Sequence, residues 1–315
     1  MPDTPRSEDA GSRHPEVALT EAAAAIAESP KPKRLLALVD GSPYSASVCD
    51  HAAWFAHRAD ASVHLVHLIS RRSLGGGEQN LSGSIGLGAR TALLNELAEL
   101  DARKAKLAQQ RGRAILADAG DRLGGLGVAH VTTSLRHGEV VETLATLERE
   151  ADLVVIGKRG EAADADSAHP GSNLERAIRS TSKPALVASR AFREPKRFLI
   201  AFDGGKSALE AVDFIAARPR YNDLDCHVVS AGHADRTRRR QLEGAAAVLR
   251  EAGFAVTAEH VDGAPESTIP AEAERRGVDL VVMGAYGHSR IRNLIIGSTT
   301  TAVVIACRLP ILLFR

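Results

Sequence analysis

Aromatic rings are scarce in this chain, at 3% of 315 residues, and the scarcity argues against a single-strand nucleic-acid binder, which stacks bases on aromatic platforms. Net charge is nearly absent as well. With 40 Lys+Arg against 39 Asp+Glu the formal balance is +1, so no chain-wide field draws in nucleic acid or an anionic membrane. No run of 18 apolar residues occurs, and the opening stretch from Met1 to Val17 lacks the apolar core of a signal peptide. The expected setting is the cytoplasm, and the expected partners are small molecules or proteins rather than nucleic acid or membrane. Cysteine is sparse too: Cys49, Cys226 and Cys307 form no CxxC pair and no zinc spacing, so the sequence predicts three reduced, structural thiols.

What is present is a length sufficient for about two domains of ~100–200 residues each. Residues 1–32, rich in Pro, Ser, Ala and charge, predict a disordered tail, because the closing Pro30-Lys31-Pro32-Lys33 cannot sit inside a regular helix. The apolar run Arg34 to Val39 then enters Asp40-Gly41-Ser42-Pro43 and a helical stretch from Tyr44 to Arg58. At an offset of 163 the pattern returns, as Arg197 to Phe202, Asp203-Gly204-Gly205-Lys206-Ser207 and a helix from Ala208. Asp152-Leu-Val-Val-Ile156-Gly157 matches Asp279-Leu-Val-Val-Met283-Gly284, and Ser182 to Val187 matches Arg308 to Leu313. Three matches in one order make an internal duplication, with domains at 33–192 and 195–315. The later offsets fall to 127 and 126, so the first copy carries extra residues over 70–119: a Gly/Ser-rich loop, then a long charged helix from Leu93 to Ala119 that the second copy shortens. That insertion is a candidate partner surface, although a solvated helix packed on its own sheet is the better explanation.

Apolar strand runs alternate with helical periodicity in each copy, the mark of parallel βαβ units. The second copy predicts strands near 197–202, 225–231, 255–262, 279–284 and 311–314, and helices near 206–217, 235–252, 266–276 and 298–307. The fold class is α/β: two open, mostly parallel five-stranded sheets, Rossmann-like or flavodoxin-like, with helices on both faces. Ligands in such sheets sit at the carboxyl ends of the strands, beside the topological switch point.

After the fourth strand of the second copy the chain reads Gly284-x2-Gly287-x9-Gly297-Ser298-Thr299. The first two glycines let backbone approach a ligand, and Gly297-Ser298-Thr299 falls where the last helix begins, with free amides and hydroxyls for phosphate oxygens. His288, Arg290 and Arg292 add donors and positive charge. Asp203, at the end of the first strand, faces the same cleft, within reach of a ribose hydroxyl or a bound Mg²⁺. Gly204-Gly205-Lys206-Ser207 only imitates a P-loop, since the required first glycine is Ile200.

A strand-end aspartate followed by this glycine spacing resembles the ATP-binding signature of the universal stress protein family, and the resemblance covers nearly the whole chain twice. It implies that Asp203 contacts ribose or metal, the Ala231 backbone meets adenine, Gly284 and Gly287 line sugar and phosphates, and Gly297, Ser298 and Thr299 hold the phosphates of ATP. It also implies that the last strands of the two copies, Ala185 to Ser189 and Ile311 to Arg315, pair edge to edge as an intrachain pseudo-dimer. Pairing of whole chains into a homodimer stays open. The first copy keeps Asp40, Gly157, Gly160, Gly171 and Ser172 as a weaker second site, but its spacer has ten residues and carries Glu161, Asp164 and Asp166 where the second copy has arginines; these carboxylates would repel phosphates. The expected role is an ATP-binding stress-response regulator that alters a surface offered to a protein partner. No side chain is set to activate water, so at most slow hydrolysis is expected. The alternatives are a scaffold for a non-nucleotide or lipid-like metabolite, or a weak ATP-cleaving enzyme of the same superfamily.

Overall fold

A computed structural model describes residues 33–70, 87–160, 172–233, 235–285 and 297–315. The tail at 1–32, the Gly/Ser-rich loop and residues 161–171 lie outside them. The first half runs β1 (Arg34–Leu38), α1 (Tyr44–Ala59), β2 (Ser62–Ile69), α2 (Leu87–Gly125), β3 (Val131–His137), α3 (Val140–Leu147), β4 (Leu153–Gly157), α4 (Ser172–Ser180) and β5 (Ala185–Ala188). The second repeats it: β6 (Arg197–Ala201), α5 (Lys206–Ala216), β7 (Asp225–Ala231), α6 (Arg236–Glu251), β8 (Val256–Val261), α7 (Pro265–Arg275), β9 (Leu280–Gly284), α8 (Ser298–Ala306) and β10 (Ile311–Phe314).

The two expected sheets are joined into one of ten strands, ordered β3-β2-β1-β4-β5-β10-β9-β6-β7-β8. Each half therefore follows the Rossmann-type order 3-2-1-4-5, not the flavodoxin order. Every neighbouring pair is parallel except β5 and β10, which run antiparallel with Ile311 opposite Val187, Leu312 opposite Leu186 and Leu313 opposite Ala185. The central strands read as continuous apolar runs because both faces are covered. Alternate residues of β1 show it: Leu35 and Ala37 belong to the core on the face covered by α1, α2, α5 and α6, while Leu36 belongs to the core on the face covered by α3, α4, α7 and α8. All three cysteines are buried and unbridged; burial pushes the Cys49 and Cys226 thiols up to about 12. Among the described residues no helix is long and apolar enough to cross a membrane.

The repeated Asp-Leu-Val-Val motif has a local cause. Asp279 accepts hydrogen bonds from the Lys196 and Arg197 amides at 3.0 and 3.2 Å, and Asp152 accepts from Arg34 N at 2.9 Å. Each aspartate thus ties the start of its half's first strand to the start of its fourth. The long helix expected in the first copy is, as the sequence predicts, shortened in the second. α2, at 39 residues, is the counterpart of the 16-residue α6, with Leu116, Ala119 and Leu123 buried where Leu242, Ala245 and Leu249 are buried in the second half. The extra length is an N-terminal extension of a shared helix.

Side chains lock the two halves across the β5–β10 seam. Arg58 on α1 forks onto Asp223 at 2.6 and 2.9 Å and lies 4.7 Å from the Trp54 ring centre, beside Tyr221. Lys158, just past β4, donates to the Ile305 and Cys307 carbonyls at the end of α8, and Arg315, just past β10, donates to the Thr181 carbonyl at the end of α4. Each half's strand-end cation caps the other half's last helix, where a positive charge is favoured. His51 is fully buried at this seam, edge-on to Phe192 at 4.9 Å, with Nδ1 2.7 Å from the Ser47 carbonyl and Nε2 without a hydrogen-bond partner among the described residues.

Burial holds the His51 pKa below its ordinary value, against the opposing pull of Ser47 and Asp50. The neutral ring is the folded form, so stability is present above the unfolded-chain pKa of about 6.5 and is lost as pH falls below it. His64 and His227 are lowered in the same sense. Thermal melting from pH 7.5 to 5.5 should show a falling midpoint, and His51→Gln should flatten that slope; an unchanged slope in the variant would remove His51 as its source.

Candidate functional site

β6 lies between β7 and β9, so the chain leaves it at the switch point of the second half. Phe202 still pairs with β7, through its amide to Val229 O at 2.8 Å, and the backbone then turns away. Asp203, exposed just beyond, accepts from the Gly205 amide at 2.8 Å, a local turn that opens α5. Gly204 adopts φ +76, where glycine is at ease, and a Cβ there would strike Gln241 of α6 at 2.6 Å. β7 continues to Ala231, paired with Val261 of β8. It outruns β6, whose ladder with β7 ends at Ala201 opposite Val229, so the Ala231 backbone borders the cleft above Asp203.

Gly284 closes β9 on the other side. A Cβ there would sit 2.9 Å from Ser207 Cβ and 3.2 Å from Ala208 N, so only glycine lets the strand end touch the first turn of α5. The start of α8 is fixed to this strand end: Thr300 Oγ1 donates to the Gly284 and Ala285 carbonyls at 3.3 and 3.2 Å, and Gly297 N donates to Ala285 O at 3.3 Å. Gly297 occupies the N-cap with no side-chain cap, while Ser298 and Thr299 are exposed. First-turn amides have no acceptor within a helix, so this end presents donors and a partial positive charge toward the cleft. Asp203, Ala231, Gly284, Gly297, Ser298 and Thr299 therefore share the carboxyl edge of one sheet half. Gly287, His288, Arg290 and Arg292 lie outside the described residues. Among those described, no cluster of three His, Cys, Asp or Glu could hold a metal. Thr300 was not singled out in the sequence, although a hydroxyl one turn into a helix, next to a Gly-Ser-Thr start, is its visible signal.

The first half builds the same frame with other chemistry. Asp40, half-buried, accepts from Ser42 N at 2.9 Å and Ser45 Oγ at 3.2 Å. A Cβ at Gly160 would stand 2.9 Å from its Oδ2, and one at Gly157 would stand 2.8 Å from Tyr44 Cβ. Strand-end aspartate and glycine loop meet here directly. Ile115 of α2 covers Gly41 where Gln241 covers Gly204, and the buried His67 turns Nδ1 to the Val39 carbonyl at 2.8 Å. Gly171 lies outside the described residues, and of Ser172 only the helical backbone is described.

Strand order and cleft define a duplicated, doubly wound α/β protein with a potential ligand site at the carboxyl edge of each half. The family model described as the universal stress protein family matches residues 31–189 and again 194–315, and the chain belongs to that family in tandem form. It is 36% identical over 286 residues, 90% of this chain and 100% of the relative, to universal stress protein Slr1230 of Synechocystis. Among solved structures, a universal stress protein from Archaeoglobus fulgidus superposes with TM-score 0.66 at 17% identity, covering 90% of this chain and 96% of that one. Protein PA1789 of Pseudomonas aeruginosa gives TM-score 0.57 at 15% identity, covering 90% and 92%. At such identities the structural likeness concerns the fold.

Gly284→Ala should cost about 1–3 kcal/mol, the usual penalty for overpacking against backbone, as read from urea denaturation. A variant as stable as the parent would mean that β9 and α5 separate easily, and the cleft would lose its rigid floor.

Proposed function

We propose that the second domain binds ATP with Mg²⁺ and that the protein acts as a nucleotide-responsive regulator, not as an enzyme. The observation that carries this reading is the attachment of α8 to the end of β9 by Thr300, which fixes a helix start with Gly297 at its N-cap on the same carboxyl edge as Asp203. Anions are held at such helix starts by amides and dipole together. In this reading the Ser298 and Thr299 amides and hydroxyls donate to phosphate oxygens, Gly297 and Gly284 allow close approach, and the Ala231 backbone reads the adenine edge. Asp203 accepts from a ribose hydroxyl or from water on Mg²⁺, which when bound would neutralise phosphate charge. Gly287, His288 and Arg290 are assigned to the sugar and phosphates.

In this reading no residue is assigned as a general base, and positioning alone leaves phosphoryl transfer slow. The proposed output is therefore a change in the surface offered to a protein partner, in a cytoplasmic setting. The first domain is proposed as a packing partner with an altered cleft. Its Ile115 cover over Gly41 favours a less polar ligand there than in the second domain.

Calorimetric titration of Mg·ATP should give near-unit stoichiometry, and Gly297→Glu, which sets a carboxylate where phosphates belong, should weaken binding about tenfold or more, the equivalent of ~1.4 kcal/mol. Absence of heat and of thermal stabilisation with the parent chain would replace this reading with the metabolite scaffold. Turnover above about one per second, the low end for ordinary enzymes, would replace regulation with catalysis.

A further inference from the structure

Arg238 and Gln241 stand three residues apart on one face of α6, and both side chains lie over strand ends of the second half. A Cβ at Gly232, directly after β7, would stand 3.2 Å from Nη1 of Arg238, and one at Gly204, just after β6, would stand 2.6 Å from Oε1 of Gln241. Of the arginines that open α6, Arg236, Arg239 and Arg240 are exposed and Arg238 is half-buried. Gly232 itself is held in place: its amide donates to Val261 O at 3.1 Å, and its carbonyl accepts from His260 Nε2 at 2.8 Å. The guanidinium therefore lies against a fixed strand end that carries no side chain, one residue beyond Ala231.

The first half has nothing of the kind at this place. The buried residues that match the two helices, Leu116 with Leu242 and Ala119 with Ala245, set Gly112 where α6 has Arg238. Gly112 lets α2 close onto β2 and β3, since a Cβ there would meet Leu135 at 2.6 Å and His67 at 2.8 Å. Across the second half, β7 is two strands from β9, about 10 Å at the usual strand spacing. A nucleotide whose phosphates sit at the start of α8, beside β9, would carry its base over the end of β7. Granted the nucleotide reading of the second cleft, on which this rests, we propose that Arg238 contacts the purine base and sets the base specificity of that cleft. Purine ring nitrogens accept hydrogen bonds, and a guanidinium offers donors and a flat face in one rigid plane. Gly112 supplies neither to the first cleft.

Competition titrations of Mg·ATP, adenosine and inorganic tripolyphosphate on the full chain test this. Arg238→Gln should weaken ATP and adenosine by the same factor, about tenfold, and leave tripolyphosphate unchanged. Arg238→Lys keeps the charge without the flat fork, so it should bind ATP as weakly as the glutamine variant. Arg239→Gln removes an equal charge from an exposed neighbour and should leave all three affinities as in the parent chain. If the parent binds ATP and Arg238→Gln binds it equally well, the base contact is overturned while the nucleotide site stands. A loss shared with tripolyphosphate but not with adenosine also overturns it, as does full recovery in Arg238→Lys. A parent chain that binds none of the three ligands removes the nucleotide reading and the base contact together.

Discussion

Everything in this molecule is arranged around one antiparallel contact, the pairing of β5 with β10. Four-residue strands make it, and all the other pairings in the sheet are parallel. Had either strand stayed unpaired, a buried-type apolar run would have presented open amides and carbonyls at a sheet edge, a template for aggregation. Their union turns two edges into the centre of a ten-stranded sheet. Several of the chain's few aromatic side chains lie near it: Trp54, Phe55 and Tyr221 pack together across the seam, with Phe214 against Phe314 and Phe192 against His51 nearby.

Because the join is antiparallel, the strands of the two halves point in opposite directions, and the candidate sites open at opposite edges of the sheet. Both clefts sit beside the inner strands, β4 and β9, which lie next to the seam strands. The last helix of each half starts at its own cleft and ends near the other half's strand ends, where Lys158 or Arg315 receives it. Burial lowers the Lys158 pKa, so the cation contact with the α8 carbonyls has been made at a desolvation cost. α4 and α8 are thus struts whose two ends answer to different halves.

Much of this was legible in the sequence because strand and helix periods, strand-end aspartates and the duplication all agreed. In the second half the predicted elements lie within a residue or two of those found, and edge pairing of Ala185–Ala188 with Ile311–Phe314 is as the family resemblance implied. What escaped notice depends on tertiary contact. Thr300 looked like one more helical threonine until its hydroxyl met two carbonyls of another element. Asp152 and Asp279 served only as landmarks of the repeat, although they fasten first strand to fourth. α2 was read as a long helix that the second copy shortens, but composition cannot show that its second half occupies the place of α6. The long glycine loop contributed spacing alone, and Gly287, His288 and Arg290 lie outside the described residues.

Carrying both halves on one chain changes what sequence drift can do. Two separate subunits would have to find each other at cellular concentration, and a subunit with a spoiled cleft would compete with intact ones for partners. Here the seam closes within the molecule, at the high effective concentration that a linker confers, and each first-half cleft is always matched with one second-half cleft. The β5–β10 contact therefore acts as a ratchet for specialisation: the first half can lengthen a helix and cover Gly41 with Ile115, while still supplying the edge that completes the second.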